Sequence, residues 1–318
     1  MRIVIALGGN ALLKRGQKIS AEAQRANIRL AAAQLAQVAE GNEVVIVHGN
    51  GPQVGLLASQ EREASTSAGF TLDVLDAETE GMIGYQLELE LRNCLPKGRV
   101  CATLLTMVEV DAGDGAFERP DKPIGAMMTE ASALEAAKAK AWSIARDGTG
   151  YRRVVPSPSP KRLVQLAPLR WLLEQHAIVI CAGGGGIPVV ADEDGTLRGI
   201  EAVVDKDRSA ALVAEAIDAD LFVIATDVAG VFADWGTPNA TLLRHLEPSV
   251  LRERAFAAGS MGPKVEAAAQ FAERTGRRAS IGALTEVAAL VEGTAGTSMF
   301  AQRSEAGGKD SAVALKTD

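Results

Sequence analysis

The sequence predicts an α/β protein with a mainly parallel sheet, and three observations lead to this prediction. Short apolar runs rich in Val and Ile alternate with longer stretches of helical periodicity, which is typical of repeated βαβ units. Glycine-rich loops directly follow several of these runs, as they do where a parallel strand leads into a helix. The chain has 318 residues, 47% of them hydrophobic but only 4% aromatic, so it is long enough to bury a large aliphatic core.

The predicted elements follow one another in regular order. Residues 2–7 (RIVIAL) form a buried strand, and Ser20 is in the position of an N-cap for an Ala- and Gln-rich helix that ends near Gly41. The next strand is EVVIVH, at residues 43–48. Further strands are predicted at residues 99–106, 177–181, 220–226 and 278–283, and helices at 161–175 and 263–275, the last with a proline just inside its start.

One segment, residues 111–150, interrupts this alternation of strands and helices. It opens with a run rich in Gly, Asp and Pro, continues with a short helical pattern and ends in further turn residues. We predict that it forms a small subdomain that protrudes from the sheet and acts as a lid. Residues 303–318 are small and polar, and we predict that they form a loosely ordered tail.

The charge balance and composition argue against several functions. Lys and Arg number 33 against 40 Asp and Glu, a net charge of −7, whereas nucleic-acid binding needs a positive surface. No run reaches the roughly 18 to 20 apolar residues of a membrane-spanning helix, and the first residues lack the pattern of a secretory signal. The 3 Cys and 3 His have no metal-ligand spacing, and the thiols are expected to be reduced. We therefore expect a cytoplasmic protein without a nucleic-acid or membrane partner.

Three glycine-rich loops are the main functional signal: GGN at residues 8–10, GNG at 49–51 and GGGG at 183–186. Glycine lets the backbone approach an anion closely, and successive N–H groups can bind it. Each loop could instead be a tight turn, but three of them at corresponding strand ends favour an anion site. No loop has the G-x-G-x-x-G or G-x-x-x-x-G-K-[ST] spacing, so a Rossmann dehydrogenase and a P-loop kinase are both disfavoured.

Three lysines in loops could supply positive charge to such a site. Lys206 lies between two aspartates where a strand-like run meets a helix, Lys264 lies at a helix start, and Lys122 lies in the interrupting segment. Phosphoryl transfer requires cations around the transferred group, and a helix N-terminus adds to their field. A single lysine is more often a solvated surface charge, but each of these is framed by Gly, Pro or Asp. No local Ser-His-Asp or Cys-His set supports covalent catalysis.

A series of longer strings contains these loops and lysines. They are ALGGNAL (6–12), VHGNGPQVG (47–55), IGYQL (83–87), KPIG (122–125), YRRVVPSP (151–158), CAGGGGIPVV (181–190), GIEAVVDKD (199–207), TDVAGVF (226–232) and AAGSMGPKVEAA (257–268). Together they resemble the carbamate kinases of the amino-acid kinase superfamily. The GGN and GNG loops indicate only the superfamily, whereas KPIG, RRVVPSP and GSMGPK are specific to carbamate kinases.

The resemblance implies a fold and an activity. The fold would be a three-layer αβα sandwich with a mainly parallel central sheet, formed by residues 1–302 as one domain. Residues 1–218 would hold the phosphoryl acceptor, with the protruding subdomain at 111–150, and residues 219–302 would hold the nucleotide. The activity would be direct phosphoryl transfer between magnesium-ATP and carbamate, giving ADP and carbamoyl phosphate, by a homodimer that serves arginine and carbamoyl phosphate metabolism.

The resemblance also implies roles for individual residues. The catalytic lysines would be Lys122, Lys206 and Lys264, with Asp207 orienting lysines in the site. The loops around the carbamate and the transferred phosphoryl group would consist of Gly8, Gly9, Asn10, Gly49, Asn50 and Gly51. The segments that flank the nucleotide would contain Asp227, Met261 and Gly262. No residue is assigned as a metal ligand.

The chain departs from the family pattern at Ala126-Met127-Met128 after KPIG, at Ser159 and at Phe232. Because every matched lysine is present, a non-catalytic sensor of nucleotide or carbamoyl phosphate is disfavoured, although it stays an alternative. A kinase for another small carboxylate or a phosphonate is the second alternative.

Replacing either loop asparagine by aspartate distinguishes a binding role from a turn role. We predict that Asn10→Asp and Asn50→Asp each abolish most activity with little change in Tm, because a carboxylate would repel the phosphoryl group. A residue that only supports a turn would tolerate Asp, which is itself a good turn residue. Activity assays with thermal melts decide this, and an active Asn50→Asp variant would assign that loop a structural role.

Overall fold

An eight-stranded sheet runs through the centre of the protein. The structure, a computed structural model, describes residues 1–9, 20–64, 69–249 and 261–300. The strands are β1 (Arg2–Leu7), β2 (Glu43–His48), β3 (Cys101–Leu104), β4 (Met107–Val110), β5 (Lys122–Met128), β6 (Ser143–Asp147), β7 (Gly150–Val155), β8 (Pro160–Leu163), β9 (Ile178–Cys181), β10 (Ile187–Ala191), β11 (Leu197–Gly199), β12 (Leu221–Thr226), β13 (Phe232–Ala233), β14 (Thr241–Leu242), β15 (His245–Leu246), β16 (Arg278–Ala283) and β17 (Thr297–Met299).

Eight α-helices lie within the described ranges. They are α1 (Ala21–Ala39), α2 (Gly51–Ala64), α3 (Leu72–Cys94), α4 (Glu130–Lys140), α5 (Leu166–Glu174), α6 (Lys206–Ala216), α7 (Gly262–Thr275) and α8 (Val287–Glu292). The predicted N-cap of the first helix is confirmed, because the Ser20 hydroxyl accepts a hydrogen bond from the Ala23 amide at 3.1 Å. None of the described helices is long and apolar enough to cross a membrane.

The central sheet has the strand order β15-β17-β16-β12-β1-β2-β9-β3. The six strands from β16 to β3 are parallel, whereas β17 is antiparallel to β16. Both faces are buried, so the side chains of β1 alternate between two cores: Ile3, Ile5 and Leu7 belong to one, and Val4 and Ala6 to the other. This explains why the central strands are continuous apolar runs.

Helices cover both faces of the sheet. The core that contains Ile3 is closed by side chains of α1, α3 and α8, and the core that contains Val4 by side chains of α5, α6 and α7. Phe271 of α7 packs edge-on against Phe222 of β12, with ring centroids 5.6 Å apart. The predicted three-layer αβα sandwich with a mainly parallel sheet is therefore confirmed.

Residues 111–150, which interrupt the predicted alternation, lie mainly outside the central sheet. Strands β5, β7 and β6 form a separate antiparallel sheet on which α4 packs. Lys122 pairs with Val155 in this sheet, so its strand pairing continues past residue 150, the predicted end. A second small sheet has the strand order β11-β10-β4-β8. The lid role of the segment stays a prediction.

The predicted helix at residues 161–175 is wrong in its first turn. Residues 160–163 form β8, which pairs antiparallel with β4, and α5 begins only at Leu166. Arg162 of β8 also forms an ion pair with Glu109 of β4 at 2.5 Å. Pairing between strands more than 50 residues apart thus overrides a local helical pattern.

Candidate active site

Two of the glycine-rich loops meet at the carboxyl end of the parallel strands. The Gly8 amide donates to the Ala225 carbonyl at 2.8 Å, and the Gly49 amide donates to the Leu7 carbonyl at 3.1 Å. A Cβ atom added at Gly49 would lie 3.1 Å from the Gly9 nitrogen and 3.3 Å from Cε of Lys206. The loops that follow β1 and β2 are therefore neighbours, and Lys206 reaches the junction between them.

A buried carboxylate joins two of the predicted catalytic lysines. Asp207 accepts from Nζ of Lys206 at 2.5 Å through Oδ1 and from Nζ of Lys264 at 2.8 Å through Oδ2. The side chains of Lys206, Asp207 and Lys264 are only 11%, 4% and 13% exposed. Lys206 and Asp207 open helix α6 and Lys264 lies in the first turn of α7, so the packing of these two helices brings the three groups together.

The third lysine arrives from the small antiparallel sheet. Lys122, the first residue of β5, forms an ion pair with Oδ2 of Asp205. The other oxygen of Asp205 caps helix α6 by accepting from the backbone amides of Asp207 at 2.9 Å and Arg208 at 3.1 Å. Asp205 was not predicted as a site residue. The signal for it was its place directly before a helix and beside Lys206.

Burial and pairing set the charges of this cluster. Burial lowers the pKa of Lys206 to about 8 despite the attraction of Asp207. Burial also opposes ionisation of Lys264 and of Asp207. The attraction of Asp207 outweighs burial and raises the pKa of Lys264, and the attraction of Lys206 and then Lys264 holds the pKa of Asp207 well below its usual value. With three lysines and two aspartates, the cluster has one excess positive charge at neutral pH, which suits an anionic ligand.

Asn50 is held from behind by helix α3. Its Nδ2 donates to Oδ1 of Asp76 at 2.7 Å and to Oγ1 of Thr79 at 2.8 Å, and all three side chains are buried. Glu80, on the same buried face of the helix, accepts from the Gly183 amide at 2.8 Å and so fixes the third glycine loop. Sequence reasoning missed these residues of α3. The available signal was the i, i+3, i+4 spacing of three polar residues within DAETE, Asp76, Thr79 and Glu80, which puts them on one helix face.

The third glycine loop packs directly on Asn50. Gly184 has φ +73°, and a Cβ atom there would lie 2.2 Å from Nδ2 of Asn50. Position 184 therefore requires glycine for two reasons: its backbone conformation, and the Asn50 amide that occupies the space of a side chain. All three predicted loops are thus linked to one another through Gly49, Asn50 and Gly184.

The predicted nucleotide-binding residues lie at the same edge of the sheet. Asp227 directly follows β12, and its Oδ1 accepts from the Thr226 hydroxyl at 3.1 Å. Met261 is the N-cap of α7 and Gly262 is its first residue, two residues before Lys264. The predicted residue Asn10 lies outside the described residues, and Gly51 begins helix α2.

The sequence model of the Amino acid kinase family matches residues 1–283. Curated carbamate kinases from Haemophilus influenzae and Rhizobium meliloti are 56% and 52% identical to this chain over 297 and 299 residues, 93% of the chain in both cases and 96% and 92% of their own lengths. The solved structure of carbamate kinase from Giardia lamblia bound to AMP-PNP has a TM-score of 0.84 at 35% identity, covering 94% of this chain and 98% of the other.

The chain belongs to the amino acid kinase family. The sequence strings led to the same family, so the predicted resemblance is confirmed. The three glycine loops and the lysine cluster of this amino acid kinase all lie within residues 1–283, the range that the family model matches.

The small antiparallel sheet of this amino acid kinase approaches helix α2 at two glycines. A Cβ atom at Gly55 would lie 2.0 Å from the backbone nitrogen of Gly125, so the two backbones are in direct contact. The guanidinium of Arg152 donates twice to the Gly125 carbonyl, at 2.7 and 3.1 Å. This contact lies only three residues from Lys122 and fixes the position from which that lysine reaches Asp205.

The hydrogen bonds of Asn50 change one part of the asparagine prediction. Aspartate at position 50 would put a second buried carboxylate where Nδ2 now lies 2.7 Å from Asp76. Two carboxylates at that distance repel each other, and one must be protonated. For Asn50→Asp we therefore expect a lower Tm in addition to the loss of activity.

A methyl group at the glycine contact should displace Lys122. We expect Gly55→Ala to lower kcat about 10²-fold, because a shift of about 1 Å in a catalytic group is enough for such a loss. Hydrogen exchange should rise in β5–β7 in the same variant. Gly113→Ala is the matched control, since its added Cβ meets no atom closer than 3.5 Å. A Gly55→Ala enzyme with normal kcat and normal exchange would show that the contact does not position Lys122.

The lowered pKa of Lys206 predicts an alkaline limb in the pH profile. As pH rises through about 8, Lys206 loses its proton and the cluster loses its excess positive charge, so kcat/KM should fall as a single-proton limb. A bound anion favours the protonated lysine, so the limb in kcat should lie at higher pH. ATP formation from ADP and carbamoyl phosphate, measured from pH 6 to 10 with thermal melts at each pH, tests this. A flat profile would exclude a titrating Lys206.

Proposed function

We propose that this chain catalyses reversible phosphoryl transfer between ATP and carbamate, giving ADP and carbamoyl phosphate. The observation that supports this most directly is the pair of buried lysines on Asp207 at the junction of the glycine loops. Curated relatives named carbamate kinase, 44% to 56% identical over nearly the whole chain, support the same reaction.

The proposed mechanism is direct in-line transfer. Carbamate is small and planar, and backbone amides of the loops after β1 and β2, other than those of Gly8 and Gly49 that bond to neighbouring strands, are suited to hold its carboxylate. Lys206 and Lys264 would neutralise the oxygens of the phosphoryl group during transfer, while Asp207 holds both ammonium groups in place. Lys122 would approach from β5, in the subdomain that we propose as a lid.

The nucleotide is proposed to bind beside Asp227, Met261 and Gly262, in the C-terminal part of the domain. Support comes from the solved relative that is bound to AMP-PNP. Magnesium is proposed to enter with the nucleotide phosphates, the usual way in which kinases hold this ion. Within the described ranges there is no cluster of three or more His, Cys, Asp or Glu that could hold a metal ion, so no step of the reaction is assigned to a protein-bound ion.

Two other functions would use the same scaffold. A kinase for another small carboxylate or a phosphonate would keep the lysine cluster and change the acceptor loops. A sensor that binds nucleotide or carbamoyl phosphate without turnover would not need three lysines held by two carboxylates. A panel of acceptors with ATP, together with ATP formation from ADP and carbamoyl phosphate, separates the three functions. We further propose that the protein works in the cytoplasm, in arginine and carbamoyl phosphate metabolism.

Removing either buried lysine should affect the chemical step. We expect Lys206→Ala and Lys264→Ala each to lower kcat by about 10²–10³-fold, the usual cost of losing one preorganised charge donor. Lys161→Ala is the control. Lys161 forms an exposed ion pair with Asp111 at 2.8 Å that involves no member of the lysine cluster, so its removal should leave kcat unchanged. A lysine whose removal changes kcat by less than a few-fold would be excluded from the mechanism.

An exposed apolar surface on α3 supports the proposed homodimer. Val74, Met82 and Tyr85 are 36%, 38% and 63% exposed, and Leu105, 48% exposed, lies next to Gly81 of the same helix. Large apolar side chains that stay exposed on one helix are a feature of interfaces.

A charge on that surface should therefore separate the subunits. We expect Tyr85→Arg combined with Met82→Glu to give a monomer by light scattering coupled to size exclusion, at a protein concentration where the unmodified chain is a dimer. Trp171→Arg is the control, since Trp171 on α5 is equally exposed, at 63%, but lies on the other side of the sheet. A dimer that persists in the double variant would place the interface elsewhere.

A further inference from the structure

Both hydrogens of the Asn50 amide are used within the protein. One is donated to Oδ1 of Asp76 at 2.7 Å and the other to Oγ1 of Thr79 at 2.8 Å. An asparagine amide has two donor hydrogens and one acceptor oxygen. The group that Asn50 keeps for any other partner is therefore its oxygen, Oδ1, and no described residue donates to it.

Thr79 can act only as an acceptor toward this amide. Its own hydroxyl hydrogen is directed at the backbone of its helix, with the Leu75 carbonyl at 3.0 Å and the Asp76 carbonyl at 3.1 Å. If the Asn50 amide were turned over, its oxygen would face the Thr79 lone pairs. The hydroxyl therefore disfavours the reversed orientation of the amide.

Asp76 reinforces the same orientation. Its Oδ1 faces the amide, and its other oxygen, Oδ2, is buried and has no hydrogen-bond partner among the described residues. Burial raises the pKa of Asp76, and the hydrogen bond from Asn50 opposes this shift. With or without a proton on Oδ2, Oδ1 keeps a lone pair for the amide N–H, so the donor side of Asn50 stays turned toward α3.

The amide lies next to the proposed acceptor site. Gly49, the residue before Asn50, packs against the Gly9 backbone and Lys206, and Gly51, the residue after it, begins helix α2. Gly184 of the third loop packs directly on the amide, which occupies the space that a side chain at position 184 would need. Asn50 therefore adjoins the place between the Gly9 and Gly49 loops, and Oδ1 is the amide atom that it has left for a ligand there.

We propose that Asp76 and Thr79 are positioning residues that present Asn50 to the substrate as a hydrogen-bond acceptor, so that the site selects an acyl group that bears N–H. This inference rests on the proposed carbamate kinase function and specifies how it recognises the amino group. An analogue with a methyl group in place of the amino group would leave Oδ1 unpaired on a residue that is only 4% exposed. Sites that expect an N–H discriminate strongly against analogues that lack it.

Carbamoyl phosphate and acetyl phosphate test this directly, because they differ by an amino group in place of a methyl group of similar size. In either reaction the acyl–phosphate P–O bond breaks, the phosphoryl group passes to ADP, and carbamate or acetate leaves. For the unmodified protein we expect kcat/KM to be at least about tenfold higher with carbamoyl phosphate, the factor that corresponds to one hydrogen bond.

The variants compare a hydroxyl with a methyl group at one position. Thr79→Val should lower kcat/KM for carbamoyl phosphate about tenfold and leave that for acetyl phosphate nearly unchanged, because the amide loses one of the two acceptors that fix its orientation and one N–H is left unpaired beside a methyl group. Thr79→Ser keeps the hydroxyl and should retain the preference. A general structural defect would instead lower kcat/KM for both substrates by the same factor. Thr79→Ala serves in the same comparison if the Val variant does not fold by circular dichroism.

The outcomes separate this inference from the proposed function. If the unmodified protein does not form ATP from carbamoyl phosphate, the proposed function fails. If it does, but uses acetyl phosphate equally well, or if Thr79→Val and Thr79→Ala keep the full preference, the positioning role of Thr79 and Asp76 is wrong. A preference lost in Thr79→Val and kept in Thr79→Ser supports it.

Discussion

The site depends on one buried carboxylate, Asp207, placed between two ammonium groups. A buried charge is costly unless it is paired, and removing one member of such a group leaves another uncompensated. Lys206 and Lys264 are held in a nearly water-free position only because Asp207 bonds to both. The lysines are then preorganised around a place that keeps one excess positive charge, which is what a transferring phosphoryl group requires.

This arrangement is built into the starts of helices. Asp205 caps α6 with one oxygen and holds Lys122 with the other, so the helix N-terminus and the third lysine are fixed by the same side chain. Lys264 comes from the first turn of α7, which packs against α6. The positive ends of the two helices and the lysines therefore act at the same edge of the sheet.

Close backbone approach is the second constraint. Gly49 leaves room for the Gly9 backbone and for Lys206, and Gly55 leaves room for the backbone at Gly125. The first contact joins two loops around the proposed acceptor, and the second brings the small antiparallel sheet onto helix α2. Helix α3 completes the site, because polar side chains on its buried face bind the amide of Asn50 and the third glycine loop.

The sequence by itself predicted the α/β class, the mainly parallel sheet and the central strands, and it singled out Lys206, Lys264 and Lys122, because apolar runs, helix starts and glycine loops are local patterns. The three-layer αβα sandwich was implied by the family resemblance. The tertiary structure alone decided which groups these lysines contact, and it turned residues 160–163 from a predicted helix into a strand through pairing with β4. It also decided the roles of the polar row on α3. A helix face with charged residues is normally interpreted as solvent-exposed, and only the packing shows that this one is buried. Hydrogen bonds between distant segments leave no pattern in the local sequence.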